Sequence, residues 1–209
     1  NRWECIQTLK GHICCVNSVA WNSQGTLLAS GSLDNTIKIW NTTTWKCIQT
    51  LKKHTNSVIS VAWNSNGTLL ASGSDYCSIK IWDSKTWRCI QTLDEHSGYV
   101  GYVVWNLNGT LLASGSWDKT IKIWDSNTWT CIQTLEGHTG FVRSVMWNSN
   151  ETLLASGSDD KTIKIWDTKS WEYIQTLEGH SDRVSSVAWN SQGIKLVSGS
   201  CDQTIKIWK

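Results

Sequence analysis

The sequence repeats itself at a fixed interval of 42 residues, and this periodicity constrains the fold more than any other feature. One tryptophan, one histidine and a second tryptophan recur at that interval. They are Trp3, Trp45, Trp87, Trp129 and Trp171; His12, His54, His96, His138 and His180; and Trp21, Trp63, Trp105, Trp147 and Trp189. We therefore expect a single domain, residues 1–209, of five copies that span about 3–44, 45–86, 87–128, 129–170 and 171–209.

Each copy contains four short segments with the composition of β-strands. In the second copy they read WKCIQTL, SVISVAW, TLLASGS and SIKIW, in which apolar and polar residues alternate or strand-favouring types predominate. The connections have turn composition, as in NSQG at 22–25 and NSNG at 64–67, where glycine can adopt a positive φ. The sequence predicts an all-β fold of four-stranded antiparallel sheets.

A single sheet of this size cannot bury both of its apolar faces or protect its edges. Copies that stack radially about an axis cover these faces, because tryptophan and aliphatic side chains of neighbouring sheets then pack together. Burial of apolar area contributes about 25 cal/mol per Å² to stability. The repeats therefore favour a ring of sheets.

The charge and the hydropathy of the chain exclude several classes of partner. The formal net charge is +2, and the basic residues are dispersed rather than clustered. No apolar run is long enough to span a membrane, and the first residues lack the pattern of a signal peptide. We expect no nucleic acid and no membrane as a partner. Because Met146 is the only methionine, we also expect a longer parent protein.

The eight cysteines do not form a pattern for disulfides or zinc. Cys5, Cys47, Cys89 and Cys131 occupy one repeat position and so belong to separate copies. No CxxC pair or zinc-ligand spacing is present. We expect free thiols in a reducing, cytoplasmic compartment, with no metal and no other cofactor.

The motifs within each copy are those of a known repeat. A histidine precedes the first strand, LLASGS or a close variant forms the second, and IKIW forms the third. The pair Trp-Asp follows at 82–83, 124–125 and 166–167. In these motifs the whole chain resembles the WD40 family. The resemblance implies a β-propeller built of five four-stranded antiparallel blades.

The two ends of the chain are complementary when each copy is read as a four-stranded blade. The sequence opens on WECIQTL, which matches a fourth strand, and ends on a third strand at 204–208. We expect the N-terminal strand to complete the last blade, as family members usually do. Five blades need tighter wedging than the commonest family members, so pairing of chains into a larger ring and truncation of a longer array stay open as alternatives.

The resemblance also implies an internal hydrogen-bond tetrad of His, Ser, Asp and Trp in four of the copies. Its members are His12, Ser30, Asp34 and Trp40; His96, Ser114, Asp118 and Trp124; His138, Ser156, Asp160 and Trp166; and His180, Ser198, Asp202 and Trp208. In the second copy Tyr76 stands at the Asp position and Asp75 lies one residue early. We expect a weaker turn there.

These assignments leave few groups for catalysis. Every histidine is a tetrad position, which leaves none as a base or a metal ligand. The repeated aspartates recur at one turn, as a structural role predicts, and no GxSxG, phosphate-binding glycine loop or HExxH is present. The sequence predicts that the protein is not an enzyme.

Function is sought where the copies differ. Three positions in each copy resemble the family's contact sites on the top face of the propeller. At these positions, around one rim, we expect a partner-binding set of Tyr99, Trp117, Phe141, Arg143, Asp159 and Arg183. Aromatic and guanidinium groups are typical of interaction hot spots. Drifting surface residues around a narrow pore would give the same variation.

Three hypotheses for function follow. The favoured one is a protein-interaction scaffold whose top face binds a peptide or a partner domain. The second is a lectin-like or small-ligand propeller with repeated pockets between blades. The third is a self-assembling repeat array, which would be a homo-oligomer if five blades do not close alone.

Overall fold

The computed structural model describes residues 3–209, and these residues form 19 strands in five antiparallel sheets. The first sheet contains β1 (Val16–Trp21), β2 (Leu27–Ser32), β3 (Ile37–Asn41) and β4 (Cys47–Leu51). The second contains β5 (Val58–Trp63), β6 (Leu69–Ser74), β7 (Ile79–Asp83) and β8 (Cys89–Leu93). The third contains β9 (Val100–Trp105), β10 (Leu111–Ser116), β11 (Ile121–Asp125) and β12 (Cys131–Leu135).

The remaining strands form the last two sheets. The fourth contains β13 (Val142–Trp147), β14 (Leu153–Ser158), β15 (Ile163–Asp167) and β16 (Tyr173–Leu177). The fifth contains β17 (Val184–Trp189), β18 (Leu196–Ser200) and β19 (Ile205–Trp208). Strands that follow one another in the chain are neighbours in each sheet. The structure confirms the all-β propeller architecture, with one sheet for each repeat.

The second strand of each inner blade is nearly buried on both faces because blades pack on either side of it. Its small residues make this packing close: a Cβ added at Gly115 would lie 2.8 Å from Cγ1 of Val142 in the next blade. The same sequence, LLASGS, therefore recurs where the valines of the following blade press against the sheet.

The hydrophobic core lies between consecutive blades rather than within them. Between the first two blades, Ile37 and Ile39 meet Val58 and Val61, and none of the four is more than 5% exposed. Equivalent clusters join the second blade to the third, the third to the fourth and the fourth to the fifth. The indole of Trp63 also donates a hydrogen bond to the carbonyl of Ala20, 3.1 Å away in the preceding blade. Apolar burial and hydrogen bonds thus fix the angle between blades.

The tight turns after the first strands use the positive φ that the sequence predicts. Gly25, Gly67 and Gly109 have φ values of 68°, 70° and 73°. In the fourth blade Glu151 replaces glycine and adopts a φ of 59°. Its carboxylate accepts hydrogen bonds from the backbone N and from Nδ2 of Asn108, each at 2.9 Å, which offsets part of the backbone strain.

The prediction that the N-terminal strand completes the last blade requires correction. Residues 3–9 form no strand, and the fifth sheet holds three strands within the described residues. Trp3 is 99% exposed and Ile6 is 82% exposed. The physical reason is that the first and the last blade do not pack together, so β19 lies out of reach of this segment.

Two apolar faces are consequently uncovered. On the first blade Val19 is 63% exposed, whereas its counterpart Val61 is 5% exposed. On the last blade Ile205 and Ile207 are 75% and 76% exposed, whereas the equivalent isoleucines of inner blades are buried. Residues 3–209 thus form an open arc of blades. They include no helix that could cross a membrane.

Candidate partner-binding face

A chain of hydrogen bonds ties the loops of a blade to its strands. In the third blade the indole of Trp124 donates to Ser114 Oγ at 2.9 Å, and Ser114 Oγ lies 2.7 Å from His96 Nε2. His96 Nδ1 lies 2.6 Å from Asp118 Oδ2. Because an ionised carboxylate can only accept, His96 Nδ1–H donates to Asp118 Oδ2.

The same His, Ser, Asp and Trp contacts occur in three other blades. They join His12, Ser30, Asp34 and Trp40; His138, Ser156, Asp160 and Trp166; and His180, Ser198, Asp202 and Trp208. Each network reaches the turn between the second and the third strand. That turn carries one of the variable positions.

The aspartate of each network organises this turn. Asp118 Oδ2 also accepts from the backbone N of Ser97 at 3.1 Å, and Oδ1 accepts from N and Oγ1 of Thr120 at 2.9 and 2.7 Å. Burial alone would raise the pKa of Asp118, but the hydrogen bonds from His96 and Thr120 outweigh burial and hold its pKa well below the usual range. The carboxylate is therefore charged, and the turn before it is rigid.

The second blade lacks this carboxylate. The side chain of Tyr76 is directed outward and the residue is 70% exposed. His54 Nε2 keeps its contact with Ser72 Oγ at 2.6 Å, but the buried Nδ1 has no hydrogen-bond partner among the described residues. The backbone bonds of the kind that Ser116 and Lys119 make in the third blade do not occur in this turn. The second blade thus has the least restrained turn of the five.

Backbone geometry explains why the variable residues meet. In the third blade Trp117 N donates to Tyr99 O at 2.9 Å, and in the fourth Asp159 N donates to Phe141 O at 2.9 Å. These bonds hold two variable positions of one blade side by side. The remaining variable position, occupied by Arg143 in the fourth blade, lies in a register shift between Val142 and Ser144. Such a β-bulge redirects a side chain away from the regular alternation of the strand.

Three aromatic rings and one guanidinium group form a continuous surface, which we call the aromatic ridge (Tyr99, Trp117, Phe141 and Arg143). The rings of Tyr99 and Trp117 have centroids 4.8 Å apart. Trp117 and Phe141 stack across the boundary between the third and fourth blades, with centroids 4.7 Å apart and planes inclined by 6°. The Cζ of Arg143 lies 4.9 Å from the centroid of Trp117. Contacts of these kinds each stabilise by about 0.5–1.5 kcal/mol.

Asp159 holds the arginine of the ridge in place. Arg143 Nε and Nη2 donate to the two carboxylate oxygens of Asp159, both at 2.7 Å. The two side chains are 27% and 23% exposed. A bidentate pair fixes the plane of the guanidinium group. The ridge is therefore preorganised rather than mobile.

Gly101 keeps the face of the ridge open. It occupies the bulge position of the third blade, where a Cβ would lie 3.5 Å from Nε1 of Trp117. The equivalent residue of the second blade is Ile59. A side chain at 101 would cover the indole, so glycine at this position leaves Trp117 accessible.

The structure does not bring Arg183 into the ridge. Its Nε donates to Cys201 Sγ at 3.0 Å, and Ser185 Oγ lies 3.5 Å from the same sulfur. The hydrogen bond to Cys201 raises the pKa of Arg183, and the neighbouring charge of Asp159 acts in the same direction. The hydrogen bonds from Ser185 and Arg183 lower the pKa of the Cys201 thiol. Arg183 thus forms a separate polar group beside the ridge.

Sequence reasoning selected the ridge residues because they vary between copies. Gly101 is equivalent to Arg143, and Cys201 is equivalent to Trp117 and Asp159, but neither was among the predicted residues. All eight cysteines are free thiols. Within residues 3–209 no group of three or more His, Cys, Asp or Glu side chains is arranged to hold a metal ion.

Comparison with known proteins identifies the repeats. The family model described as WD domain, G-beta repeat, matches residues 3–41, 45–83, 87–125, 129–167 and 171–209. THO complex subunit 3 of Arabidopsis thaliana is 66% identical over 32 residues, which cover 15% of this chain and 10% of that protein. Protein HIRA of Zea mays is 51% identical over 39 residues, 19% of this chain and 4% of that protein.

A third relative has the same limited overlap. The probable cytosolic iron-sulfur protein assembly protein 1 of Debaryomyces hansenii is 55% identical over 42 residues, 20% of this chain and 11% of that protein. The match to the curated relatives thus extends over about one repeat and a small part of their length. Because the family model matches all five repeats, the chain belongs to the WD40 family.

Proposed function

We propose that this protein is a non-catalytic interaction scaffold that binds a peptide or a partner domain on the aromatic ridge. One observation carries the proposal: Tyr99, Trp117, Phe141 and Arg143 are in contact across two blades and stay partly exposed, with Tyr99 41% exposed. Aromatic and arginine side chains supply most of the energy of many interfaces.

The geometry supports a particular chemistry of partner. The flat stack of Trp117 and Phe141 offers an apolar platform for an aliphatic or aromatic side chain. Asp159 already neutralises Arg143, so the ridge itself carries no free charge. Arg183 lies to one side, where its guanidinium group favours an acidic group of the partner. We infer that the partner presents an apolar anchor followed by an acidic group.

The relatives give independent support for a protein partner. THO complex subunit 3 is by name part of an assembly, and a matching protein of Mus musculus is by name a subunit of chromatin assembly factor 1. Family membership itself favours a scaffold over an enzyme.

Peptide selection tests this proposal. A random peptide phage library is panned on the wild-type chain, with counter-selection on a variant that carries Tyr99→Ala, Trp117→Ala and Arg143→Ala. Leu107→Ala is the matched control, because Leu107 is 69% exposed and lies in a turn away from the ridge. We expect enriched peptides that bind the control and fail to bind the triple variant. Equal binding to the triple variant would remove the ridge as the site.

A second function, self-assembly, is favoured by the two uncovered apolar faces. Val16, Val19 and Trp21 on the first blade repeat the residues that inner blades bury against the preceding blade. Val197, Ile205 and Ile207 on the last blade repeat the opposite half of that interface. We propose that a second copy joins head to tail through these halves. Heterologous contacts of this kind produce rings or open arrays.

A mixing experiment separates this function from ligand binding. Val19→Asp blocks the first face and Ile207→Asp blocks the last, and both side chains are exposed, so neither change should unfold the chain. Native mass spectrometry should show oligomers for the wild type, monomers for each variant alone, and dimers only for their mixture. A monomeric wild type, or no dimer in the mixture, would exclude head-to-tail assembly.

A further inference from the structure

The incomplete network of the second blade retains hydrogen-bond donors that serve a carboxylate in every other blade. In the fourth blade Asp160 accepts from His138 Nδ1 at 2.7 Å, from Thr139 N at 3.0 Å, and from N and Oγ1 of Thr162 at 2.9 and 2.7 Å. The first, third and fifth blades repeat this set of four donors. The fold therefore supplies four independent templates for one carboxylate site.

The equivalent donors in the second blade are His54 Nδ1, Thr55 N, and N and Oγ of Ser78. His54 is 6% exposed and its Nδ1 is without a partner. Neither Thr55 N nor Ser78 makes a hydrogen bond from these atoms to another described residue. The tyrosine that replaces aspartate is directed outward, so all four donors lack their acceptor.

The protonation of His54 matches an anionic acceptor. Trp82 Nε1 donates to Ser72 Oγ at 2.9 Å, and the serine hydrogen has two acceptors within reach, His54 Nε2 at 2.6 Å and Lys80 O at 3.4 Å. The shorter contact favours donation to His54 Nε2. The hydrogen of the neutral ring then lies on Nδ1. An unsatisfied buried donor is destabilising, and an acceptor that reaches Nδ1 removes that penalty.

A groove leads to this turn. It has a volume of about 570 Å³ and is lined in part by Lys53, Thr55, Tyr76, Ser78 and Lys80. The lining contains two lysines and one carboxylate, that of Asp94. Lys80 Nζ is held by Thr92 Oγ1 at 3.1 Å. The groove therefore attracts an anion and has the size of a small-ligand site.

We propose that the second blade binds a carboxylate group through the donors that hold the aspartate carboxylate in the other four. One carboxylate oxygen accepts from His54 Nδ1 and Thr55 N, and the other accepts from Ser78. The group is supplied either by a free small carboxylate or by an acidic side chain of a bound peptide. The site is independent of the aromatic ridge, which lies on the third and fourth blades.

Binding is coupled to the order of the turn at 74–78. Cys77 keeps a positive φ of 56°, as Lys119 does with 73° in the third blade, so the course of the chain is preserved. The backbone bonds from Ser116 N to Thr120 O and from Lys119 N to Ser116 O, both 3.2 Å, have no counterpart in the described turn of the second blade. A bound carboxylate restores the restraint that Asp118 provides in the third blade.

The test is a titration of the ¹⁵N-labelled chain with sodium acetate, monitored by NMR, against sodium chloride at equal ionic strength. We expect saturable shifts of the amides of Thr55 and Ser78 and of the His54 ring with acetate only. Tyr76→Asp places the residue of the other blades in the second blade and should abolish these shifts. Asp118→Ala leaves the same donors unpaired in the third blade and should add acetate-dependent shifts at Ser97 and Thr120.

A second arm separates the two sources of the carboxylate. A peptide with blocked termini and a single aspartate is titrated beside acetate. A peptide affinity at least about tenfold above that of acetate assigns the site to an acidic side chain, and equal affinities assign it to a free carboxylate. No saturable shift with either probe, equal shifts with chloride, or shifts that persist in Tyr76→Asp would each overturn the proposal. Trp117→Ala should leave the acetate shifts unchanged, so this site and the ridge succeed or fail separately.

Discussion

Replacement of Asp118 by alanine tests how the loops of the propeller are held. The change removes the acceptor of His96 Nδ1, Ser97 N, Thr120 N and Thr120 Oγ1. His96 is 4% exposed, so its orphaned donor costs about 1–3 kcal/mol. The other three donors lie nearer the surface, where water accepts their hydrogen bonds and offsets part of the loss. We expect the free energy of unfolding to fall by about 2–4 kcal/mol.

Equilibrium unfolding in urea measures this loss. The two proteins are comparable when the free energy of unfolding falls with urea concentration at the same slope. Asp94→Ala, a change at an exposed residue outside the four networks, is the control and should change stability by less than about 0.5 kcal/mol. A loss of less than about 0.5 kcal/mol for Asp118→Ala would refute the idea that the carboxylate restrains the turn.

The pH dependence adds a second criterion. The pKa of Asp118 is lowered in the folded state, so its stabilising contribution is present above the unfolded pKa of about 4 and is lost as the pH falls through the folded pKa. The difference between wild type and Asp118→Ala should therefore be full at pH 7 and should shrink on acidification below about pH 4. A difference that stays constant at low pH would contradict a charged carboxylate.

Three further predictions follow from the packing. Gly115→Ala should lower the free energy of unfolding by about 1–3 kcal/mol because the new Cβ lies 2.8 Å from Val142 and Val145 of the next blade. Gly199→Ala should be nearly neutral because no atom lies within 4 Å of its Cβ. Urea unfolding compares the two variants, and equal losses would mean that the last blade is covered. Gly101→Ile should weaken peptide binding to the ridge at unchanged stability, which calorimetry and urea unfolding check; unchanged affinity would show that the indole is not the contact. Glu151→Gly relieves a positive φ but loses two hydrogen bonds to Asn108, so thermal unfolding should shift little, and a large stabilisation would show that those bonds contribute nothing.

Much of the architecture could be predicted because it is encoded locally. The alternation in SVISVAW and the glycine of NSNG predict β5 and the turn after it, and the fourfold recurrence of His, Ser, Asp and Trp predicts which side chains share a network. These features depend on residues within one repeat. Each copy carries the same information.

The course of residues 3–9 could not be predicted in the same way. Their sequence matches β4 and its equivalents, but pairing with β19 depends on the angle summed over four interfaces between blades. Small differences in side-chain volume at each interface set that angle. The sequence of the segment itself contains none of this information.

The candidate site was predictable as a set of residues but not as a geometry. Variation between copies selected Trp117, Arg143 and Asp159, whereas the bidentate contact of the last two depends on the β-bulge at Arg143. Arg183 satisfied the same criterion yet contacts Cys201 instead. The defect of the second blade was visible as the replacement of aspartate by Tyr76, although the unpartnered donor of its histidine is a feature of the folded blade.

Calorimetric titration of a selected peptide into the wild type, Trp117→Ala and the control Leu107→Ala tests most directly whether the aromatic ridge is a preorganised binding surface. We predict that Trp117→Ala lowers the affinity about 30-fold, equivalent to about 2 kcal/mol, and that Leu107→Ala leaves it unchanged. Equal affinity for wild type and Trp117→Ala, with both chains folded, would contradict the assignment of the ridge as the binding site.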